Sequence, residues 1–113
     1  HEGSDMSKNC DSLGGHFNPH GVNHGSRHSM VRHRHVGDWS NLICDSENKV
    51  DDKFYESLST LSGSHSIMNR SIVIHAGTDD HGKGSNPKSK KTGDAGKRLA
   101  CCIIKKKTDS EPH

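Results

Sequence analysis

Apolar residues occur in short runs along this chain, and the clearest runs lie in its second half. RSIVIH at 70–75 and LACCII at 99–104 are short, rich in β-branched or other apolar residues, and bounded by polar positions, which is typical of strands. Weaker runs predict two further strands, at 39–44 and 53–61. The pattern therefore indicates several short strands, the most regular of them near the C-terminal end of the chain.

Polar stretches precede and separate these strands. Residues 1–38 are rich in Gly, Asn, Ser and His, which predicts an ordered loop. Histidines four residues apart in this stretch would share one face of a helix, but Pro19 and two nearby glycines oppose a helix. A second loop, rich in Gly, Asp and Lys, spans 76–97 and is long enough to be functional. No helix and no internal repeat is predicted.

The composition leaves little material for a core. The chain has 113 residues, of which Leu, Ile, Val and Phe together supply only 18, and its formal net charge is +2. One small domain is the most that such a chain supports, and a metal or a disulfide normally stabilises a core this small. No apolar run approaches the roughly 20 residues that cross a bilayer, and no signal peptide is visible, so no membrane partner is predicted. The sequence does not distinguish a cytoplasmic from an extracellular location.

The cysteines are compatible with one disulfide but do not specify it. They are Cys10, Cys44, Cys101 and Cys102, and their spacing matches neither a zinc knuckle nor a thioredoxin motif. Four cysteines allow three pairings, and a bond between the adjacent pair would be strained. A bridge between an early and a late cysteine would contribute roughly 3–5 kcal/mol in the chain-entropy model. The residues alone do not choose between the pairings.

The stretch from Gly15 to Asp38, hereafter the histidine-rich loop, holds six of the eleven histidines and closes with an aspartate. Three imidazoles and one carboxylate form a complete tetrahedral ligand set for zinc. The sequence therefore predicts a metal site in this loop.

The run from Lys83 to Arg98 has the positive charge of a nucleic-acid patch. It contains no aromatic residue for base stacking and alternates with Asp and Gly, so no nucleic-acid partner is predicted.

Four sequence blocks, taken in order, resemble a known family. They are HFNPHGVNHG, RHVGDWSNL, RSIVIHAGTDDHGKG and KTGDAGKRLACCII, and they cover most of residues 1–104. In this order they resemble the signature blocks of the copper–zinc superoxide dismutases. The resemblance implies a domain over 1–104 with a charged tail at 105–113, and an all-β Greek-key barrel or sandwich with long metal-binding and electrostatic loops.

The resemblance also implies two metal cofactors and their ligands. Copper would be held by His1, His16 and His75, and zinc by His16, His24, His35 and Asp38, with His16 bridging the two ions. Asp79 would orient a copper-side and a zinc-side histidine. The family's intrachain disulfide would join Cys10 to Cys101.

The implied activity is dismutation of superoxide by copper redox cycling, with zinc in a structural role. His16 would take up and return a proton, and Arg98 would guide and hold superoxide beside copper. The cations Lys83 and Lys91 would help to draw in the anionic substrate.

The chain departs from the family pattern in three respects. It begins at the second copper histidine, which predicts that the family's N-terminal strands and another copper histidine are missing. The chain is then either a fragment of a longer protein, which we favour, or a truncated relative with impaired copper chemistry. The histidine-rich loop is longer than usual and carries extra histidines at 20, 28 and 33, so His33 is an alternative to His35 as a ligand. The implied homodimer would have altered interface residues, Gly3 and Lys106.

These departures keep a second function open. The alternative is a histidine-rich zinc- or copper-binding protein of the same fold with little or no dismutase activity.

Overall fold

The computed structural model describes residues 1–107 and contains three strands, one α-helix and one 3-10 turn. The strands are β1 (Ser7–Cys10), β2 (Ser71–His75) and β3 (Arg98–Ile103). The helix is α1 (Pro87–Thr92), and the 3-10 turn spans Val31–His33. Of the predicted tail at 105–113, residues 108–113 lie outside the described residues.

Strands β2 and β3 pair antiparallel, as their β-branched and apolar sequences favour. Val73 lies opposite Cys101, and the register shifts between Ile74 and His75, where the pairing partner moves from Ala100 to Arg98. Hydrogen bonds beyond the strand ends extend this ladder into the flanking loops. The sheet thus places His75 and Arg98 side by side at one end.

The sheet is open within residues 1–107. It has two strands, and β1 lies beside β3 without joining the ladder. Ile72 and Ile74 on one face of β2 stay 38% and 43% exposed. An incomplete all-β barrel or sandwich leaves a strand face exposed in this way. The strands that cover such a face in a complete barrel are not among those in residues 1–107.

Two of the predicted strands are not observed. Residues 39–44 and 53–61 lie in irregular backbone, apart from an isolated bridge between Thr60 and Ser66. Leu42 and Ile43 are 48% and 75% exposed, so the first of these runs has neither a pairing partner nor a buried face.

The predicted structureless loop at 76–97 contains helix α1, which the hydrophobic pattern did not indicate. Asn86 caps its N-terminus by accepting a hydrogen bond from Ser89 N, Pro87 occupies its first turn, and Gly93 ends it in the left-handed conformation. Ser89 is buried and donates to Asp80 at 2.8 Å, which holds the helix against its own loop.

The core is small and lies under the histidine-rich loop. Its buried apolar side chains are Leu13, Phe17, Val36 and Ala95. Most of the other fully enclosed side chains are polar and belong to this loop, including Arg34 and Asp38. The best-packed part of the described chain is therefore the part that carries the candidate ligands.

Candidate metal centre

The histidine-rich loop folds back so that its two ends meet. Gly37 N donates to the carbonyl oxygen of Phe17 at 3.0 Å. Gly25 N and His35 N both donate to Oδ2 of Asp38, at 2.9 and 2.7 Å. Because these backbone groups occupy Oδ2, the second carboxylate oxygen, Oδ1, is left facing the histidines.

Four side chains of this loop converge and form what we call the four-residue cluster: His16, His24, His35 and Asp38. Their candidate ligand atoms all lie within 4.8 Å of one another. The Nδ1 atoms of His16, His24 and His35 lie 2.9, 2.8 and 3.2 Å from Oδ1 of Asp38. One carboxylate oxygen faced by three ring nitrogens requires protons or a cation between them. The donor set therefore fits a closed, four-ligand metal site.

The outward-facing nitrogens of two of these rings are held by other groups. His35 Nε2 donates to the carbonyl oxygen of Val22 at 2.8 Å, and His24 Nε2 lies 2.6 Å from Oδ1 of Asp79. Asn41 fixes the backbone of Asp79, donating to its carbonyl oxygen at 3.0 Å and accepting from its N–H at 2.8 Å. Partners of this kind orient metal-binding imidazoles in proteins, and here they turn Nδ1 of both rings inward.

Charge and burial set the protonation of this cluster. Burial by itself would raise the pKa of Asp38, but hydrogen bonds from His16, His24 and His35 hold that pKa well below its usual range. Burial disfavours the charged form of His24, yet Asp38 and Asp79 outweigh it and raise the pKa of His24 to about 9. Burial lowers the pKa of His16. The cluster thus presents an ionised carboxylate and a His16 ring that favours its uncharged form.

A second group, the three-histidine cluster, consists of His1, His16 and His75. Nδ1 of His1 donates to the carbonyl oxygen of Gly14 at 2.8 Å, and Nδ1 of His75 donates to that of Gly96 at 2.9 Å. In a neutral ring the remaining nitrogen, Nε2, is then an acceptor, and these two Nε2 atoms lie 3.1 Å apart. Two acceptors in such contact need a cation or a proton between them, so this cluster also fits a metal.

His16 belongs to both clusters. Its Nδ1 faces Asp38, while its ring centroid lies 4.8 Å from that of His1 and 6.2 Å from that of His75. A single imidazole with one nitrogen directed to each cluster can connect two metal ions.

Arg98 lies next to the three-histidine cluster and is fixed by two carbonyl groups. Its Nη1 donates to the carbonyl oxygen of Cys10 at 2.8 Å, and its Nη2 donates to that of Gly14 at 2.7 Å. A disulfide joins Cys10 to Cys101 in the structure, the pair that the family resemblance implies. Cys44 and Cys102 are free and exposed.

Several predicted site residues lie outside both clusters. His20, His28 and His33 are exposed, and His35 rather than His33 occupies the four-residue cluster. Asp79 contacts the ring of His24, but within residues 1–107 it has no hydrogen bond to His1 or His75. The expected contact with a copper-side histidine is therefore not found there.

Sequence reasoning missed the groups that position the histidines. The backbone carbonyls of Gly14, Val22 and Gly96 could not be predicted as ring partners, because every residue type has a carbonyl. Nothing in the sequence indicated that the side chain of Asn41 contacts Asp79. Arg34 was also missed.

Arg34 is 1% exposed and ties the histidine-rich loop together. It donates to the carbonyl oxygens of Arg27, His35 and Val36 at 2.7–2.9 Å. It also forms a two-bond ion pair with Glu56 at 2.9 and 3.0 Å, and this pair lowers the pKa of Glu56 against the effect of burial. A rigid loop of this kind presents ligands in a fixed geometry.

The fold and the site together define a class of protein. It is a metal-binding protein with an open β-sheet and two imidazole clusters that share one histidine. Comparison with known proteins specifies it further. The sequence model of the family described as Copper/zinc superoxide dismutase (SODC) matches residues 1–104. The chain belongs to the copper/zinc superoxide dismutase family.

Individual relatives agree with this assignment. The chain is 48% identical over 104 residues to a superoxide dismutase [Cu-Zn] of Schizosaccharomyces pombe, covering 92% of this chain and 66% of that protein. It is 46% identical over 104 residues to one of Paramecium bursaria Chlorella virus 1, covering 92% and 54%. The chain thus spans between about half and two thirds of the length of these relatives.

A solved structure supports the predicted fold class. The crystal structure of the clock protein EA4 superposes with a TM-score of 0.87 at 41% identity, covering 91% of this chain and 64% of that one. Together with the family match, this likeness confirms the fold class, with the sheet left open in the described residues. No helix in residues 1–107 is long and apolar enough to cross a membrane.

Proposed function

We propose that this protein is a superoxide dismutase that converts two superoxide ions and two protons into dioxygen and hydrogen peroxide. The observation that carries the proposal is the position of His16, whose ring belongs to both ligand clusters. Family membership supports it. Copper is proposed at the three-histidine cluster and zinc at the four-residue cluster, because imidazole suits both ions and the carboxylate completes a closed zinc site.

Copper, when bound, would supply the one-electron redox chemistry of the reaction. The proton would be handled by His16, whose Nε2 would take one up in one half of the cycle and give it to the reduced substrate in the other. Burial lowers the pKa of His16 in the metal-free protein, so the ring favours the uncharged form that binds a metal. Asp79 would keep the zinc-side ring of His24 oriented throughout.

Superoxide is the proposed substrate, and Arg98 would bind it. Two of its guanidinium nitrogens are held by the carbonyls of Cys10 and Gly14, so the group is fixed next to His1. Exposed Lys83 and Lys91 would raise the local concentration of the anion. The disulfide between Cys10 and Cys101 would hold the segment that supplies these carbonyls.

The test is the superoxide dismutation rate of protein reconstituted with copper and zinc. His75→Ala removes one proposed copper ligand and is expected to abolish dismutation and copper retention while zinc stays bound. His28→Ala, an exposed histidine of the same loop, is the matched control and should keep the full rate. Dismutation that survives His75→Ala would contradict the copper assignment.

A second candidate function is metal binding with little or no dismutation. One observation favours it: exposed histidines beyond the two clusters lie on the same loop, namely His20, His28 and His33. The two candidates differ in the rate of superoxide loss per bound copper ion, measured by pulse radiolysis. Catalytic turnover supports the dismutase, and copper binding without turnover supports the binding protein.

The family pattern extends the proposal to a homodimer, with no nucleic-acid or membrane partner. Sedimentation equilibrium distinguishes a monomer from a dimer, and Lys106→Ile should strengthen association if that position lies at the interface.

A further inference from the structure

A third pair of histidine rings meets outside both clusters. His20, in the histidine-rich loop, and His65, in the segment before β2, place their Nε2 atoms 2.8 Å apart although they are 45 positions apart in the sequence. The ring centroids are separated by 4.9 Å, with the ring planes nearly perpendicular at 87°. His20 is exposed and His65 is partly exposed, so the pair is open to solvent.

The backbone fixes the tautomer of one member. Nδ1 of His65 lies 3.2 Å from the carbonyl oxygen of Leu58, which can only accept, so this nitrogen carries the proton. When the ring carries only this proton, Nε2 presents a lone pair toward His20. A ring nitrogen that donates to a backbone carbonyl, with the other nitrogen free, is the usual arrangement of a metal-binding histidine.

Both rings project from turns closed by hydrogen bonds. Around His20, the Asn18 side chain accepts from Val22 N at 3.1 Å and donates to the Val22 carbonyl oxygen at 2.9 Å. Around His65, Thr60 N donates to the His65 carbonyl oxygen at 3.0 Å. The pair is therefore held in place by two separate parts of the fold, which lowers the ordering cost of binding an ion.

We propose that His20 and His65 form a surface site for a divalent transition-metal ion, with Cu²⁺ as the preferred occupant. Two imidazole nitrogens bound to one ion at about 2.0 Å lie roughly 2.8–3.3 Å apart. The Nε2 atoms are already 2.8 Å apart in the metal-free pair, so a small rotation of the rings directs both lone pairs at one ion, and of the divalent first-row ions Cu²⁺ binds nitrogen sites most tightly. Water completes the coordination.

This site is independent of the proposed dismutase function, since neither histidine belongs to the two clusters. It adds one copper ion to the one proposed at the three-histidine cluster and places it at the surface, where it exchanges with solvent.

The test is a titration of the 113-residue chain with Cu²⁺, monitored by calorimetry and by electron paramagnetic resonance. The wild type should bind one equivalent more than His20→Gln or His65→Gln, and each substitution should weaken that equivalent at least tenfold. The electron paramagnetic resonance spectrum of the Cu²⁺ bound at this site should show tetragonal geometry with two nitrogen ligands. His28→Gln and His33→Gln, which alter exposed histidines of the same loop, are the matched controls and should bind like the wild type.

A second measurement requires no variant to fold. Cu²⁺ should protect His20 and His65, but not His28 or His33, from modification by diethyl pyrocarbonate, read by mass spectrometry of peptides. Equal copper binding by the wild type and His20→Gln would overturn the site, leaving only a hydrogen bond between the two rings. Equal loss in the His28→Gln control, or an absence of selective protection, would overturn it as well.

Discussion

Arg98 and His1 donate hydrogen bonds to the same atom, the carbonyl oxygen of Gly14, at 2.7 Å from Nη2 and 2.8 Å from Nδ1. The other guanidinium contact of Arg98 is the carbonyl oxygen of Cys10, whose side chain is bonded to Cys101 on β3. The cation, one ring of the three-histidine cluster and the disulfide therefore form one connected unit. A displacement of this segment would move the proposed substrate-binding group and a proposed ligand together.

Substitution of Arg98 should lower the rate without removing the metals. Arg98→Ala removes the fixed cation, so the dismutation rate at low ionic strength should fall about tenfold or more. Arg98→Lys should retain part of the rate, because the charge remains but an ammonium group lacks the planar fork that meets two carbonyls. Lys83→Ala is the control for general loss of positive charge and should have a smaller effect. A wild-type rate in Arg98→Ala would contradict the proposed role.

Loss of the disulfide should destabilise the chain markedly. Cys10 and Cys101 are 91 positions apart, and closing a loop of that length contributes about 4–5 kcal/mol in the chain-entropy model. Cys10→Ser should lower the free energy of unfolding in urea by about this amount, measured with zinc present. Cys44→Ser, which changes an exposed free thiol, should leave it within about 0.5 kcal/mol. Equal stability of the two variants would show that the disulfide does not stabilise the fold.

Gly93 is required by the contact between Asp79 and His24. A Cβ atom at Gly93 would overlap Oδ1 of Asp79 and lie 2.6 Å from Nε2 of His24, and the backbone there has φ +73°. Gly93→Ala should therefore weaken zinc binding at least tenfold, as loss of a ligand-orienting contact does. Gly63→Ala is a matched control, since Gly63 has φ +84° but open space around it. It should cost about 1 kcal/mol of stability and leave zinc affinity unchanged.

Competition with a coloured chelator measures the zinc affinity of both variants. Wild-type zinc affinity in Gly93→Ala would contradict the effect of the overlap with Asp79, and an equal loss of affinity in both variants would mean that backbone strain decides it.

Zinc binding should depend on pH through His24. Its pKa is raised from 6.5 to about 9, so in the metal-free protein its ring is protonated at neutral pH and zinc must displace that proton. Zinc affinity should therefore rise with pH, by up to tenfold per unit from this group, and the rise should level off above about pH 9. In the metal-free protein, the same shift contributes stability below pH 6.5 that is lost as the pH rises through about 9.

Asp79→Asn provides the check on this assignment. It removes one of the two carboxylates that raise the pKa of His24, so the levelling of zinc affinity should move to lower pH. Zinc affinity well above that pH should also fall about 10–100-fold, because the ring loses its orienting partner. Calorimetry in buffers of different ionisation enthalpy gives the number of protons released. An unchanged pH profile in Asp79→Asn would show that His24 is not the titrating group.

The chemically distinctive part of the site was predictable from the sequence. Several histidines and an aspartate within one loop are recognisable in the sequence as candidate metal ligands. The structure brings four of these residues together, namely His16, His24, His35 and Asp38. The family resemblance favoured His35 over His33, and the structure agrees; the residue types alone do not make that choice, because it depends on the 3-10 turn at Val31–His33, which leaves His33 exposed. The sequence also does not indicate which backbone carbonyls orient the rings. Every residue has a carbonyl, and only the fold determines which of them lie beside a histidine.

The fold was predictable where local sequence and pairing agree. The runs at 70–75 and 99–104 became β2 and β3, with bounds that differ by one residue. The strand predicted at 39–44 was wrong because a strand also needs a neighbour, and within residues 1–107 none pairs with this segment.

Helix α1 was missed because it is six residues long and lysine-rich, with no apolar face to give a period. Its signals were the cap residue Asn86, Pro87 in its first turn and Gly93 at its end, which are informative only once a helix is suspected.

The most direct test of the account is electron paramagnetic resonance of the protein loaded with Cu²⁺ and with Co²⁺ in place of zinc. If the His16 ring joins both ions, their unpaired electrons should couple, and the Cu²⁺ signal seen with zinc should be lost or strongly altered with cobalt. A Cu²⁺ signal that is the same with either metal would contradict the account, because the two clusters would then act as separate sites without a shared histidine.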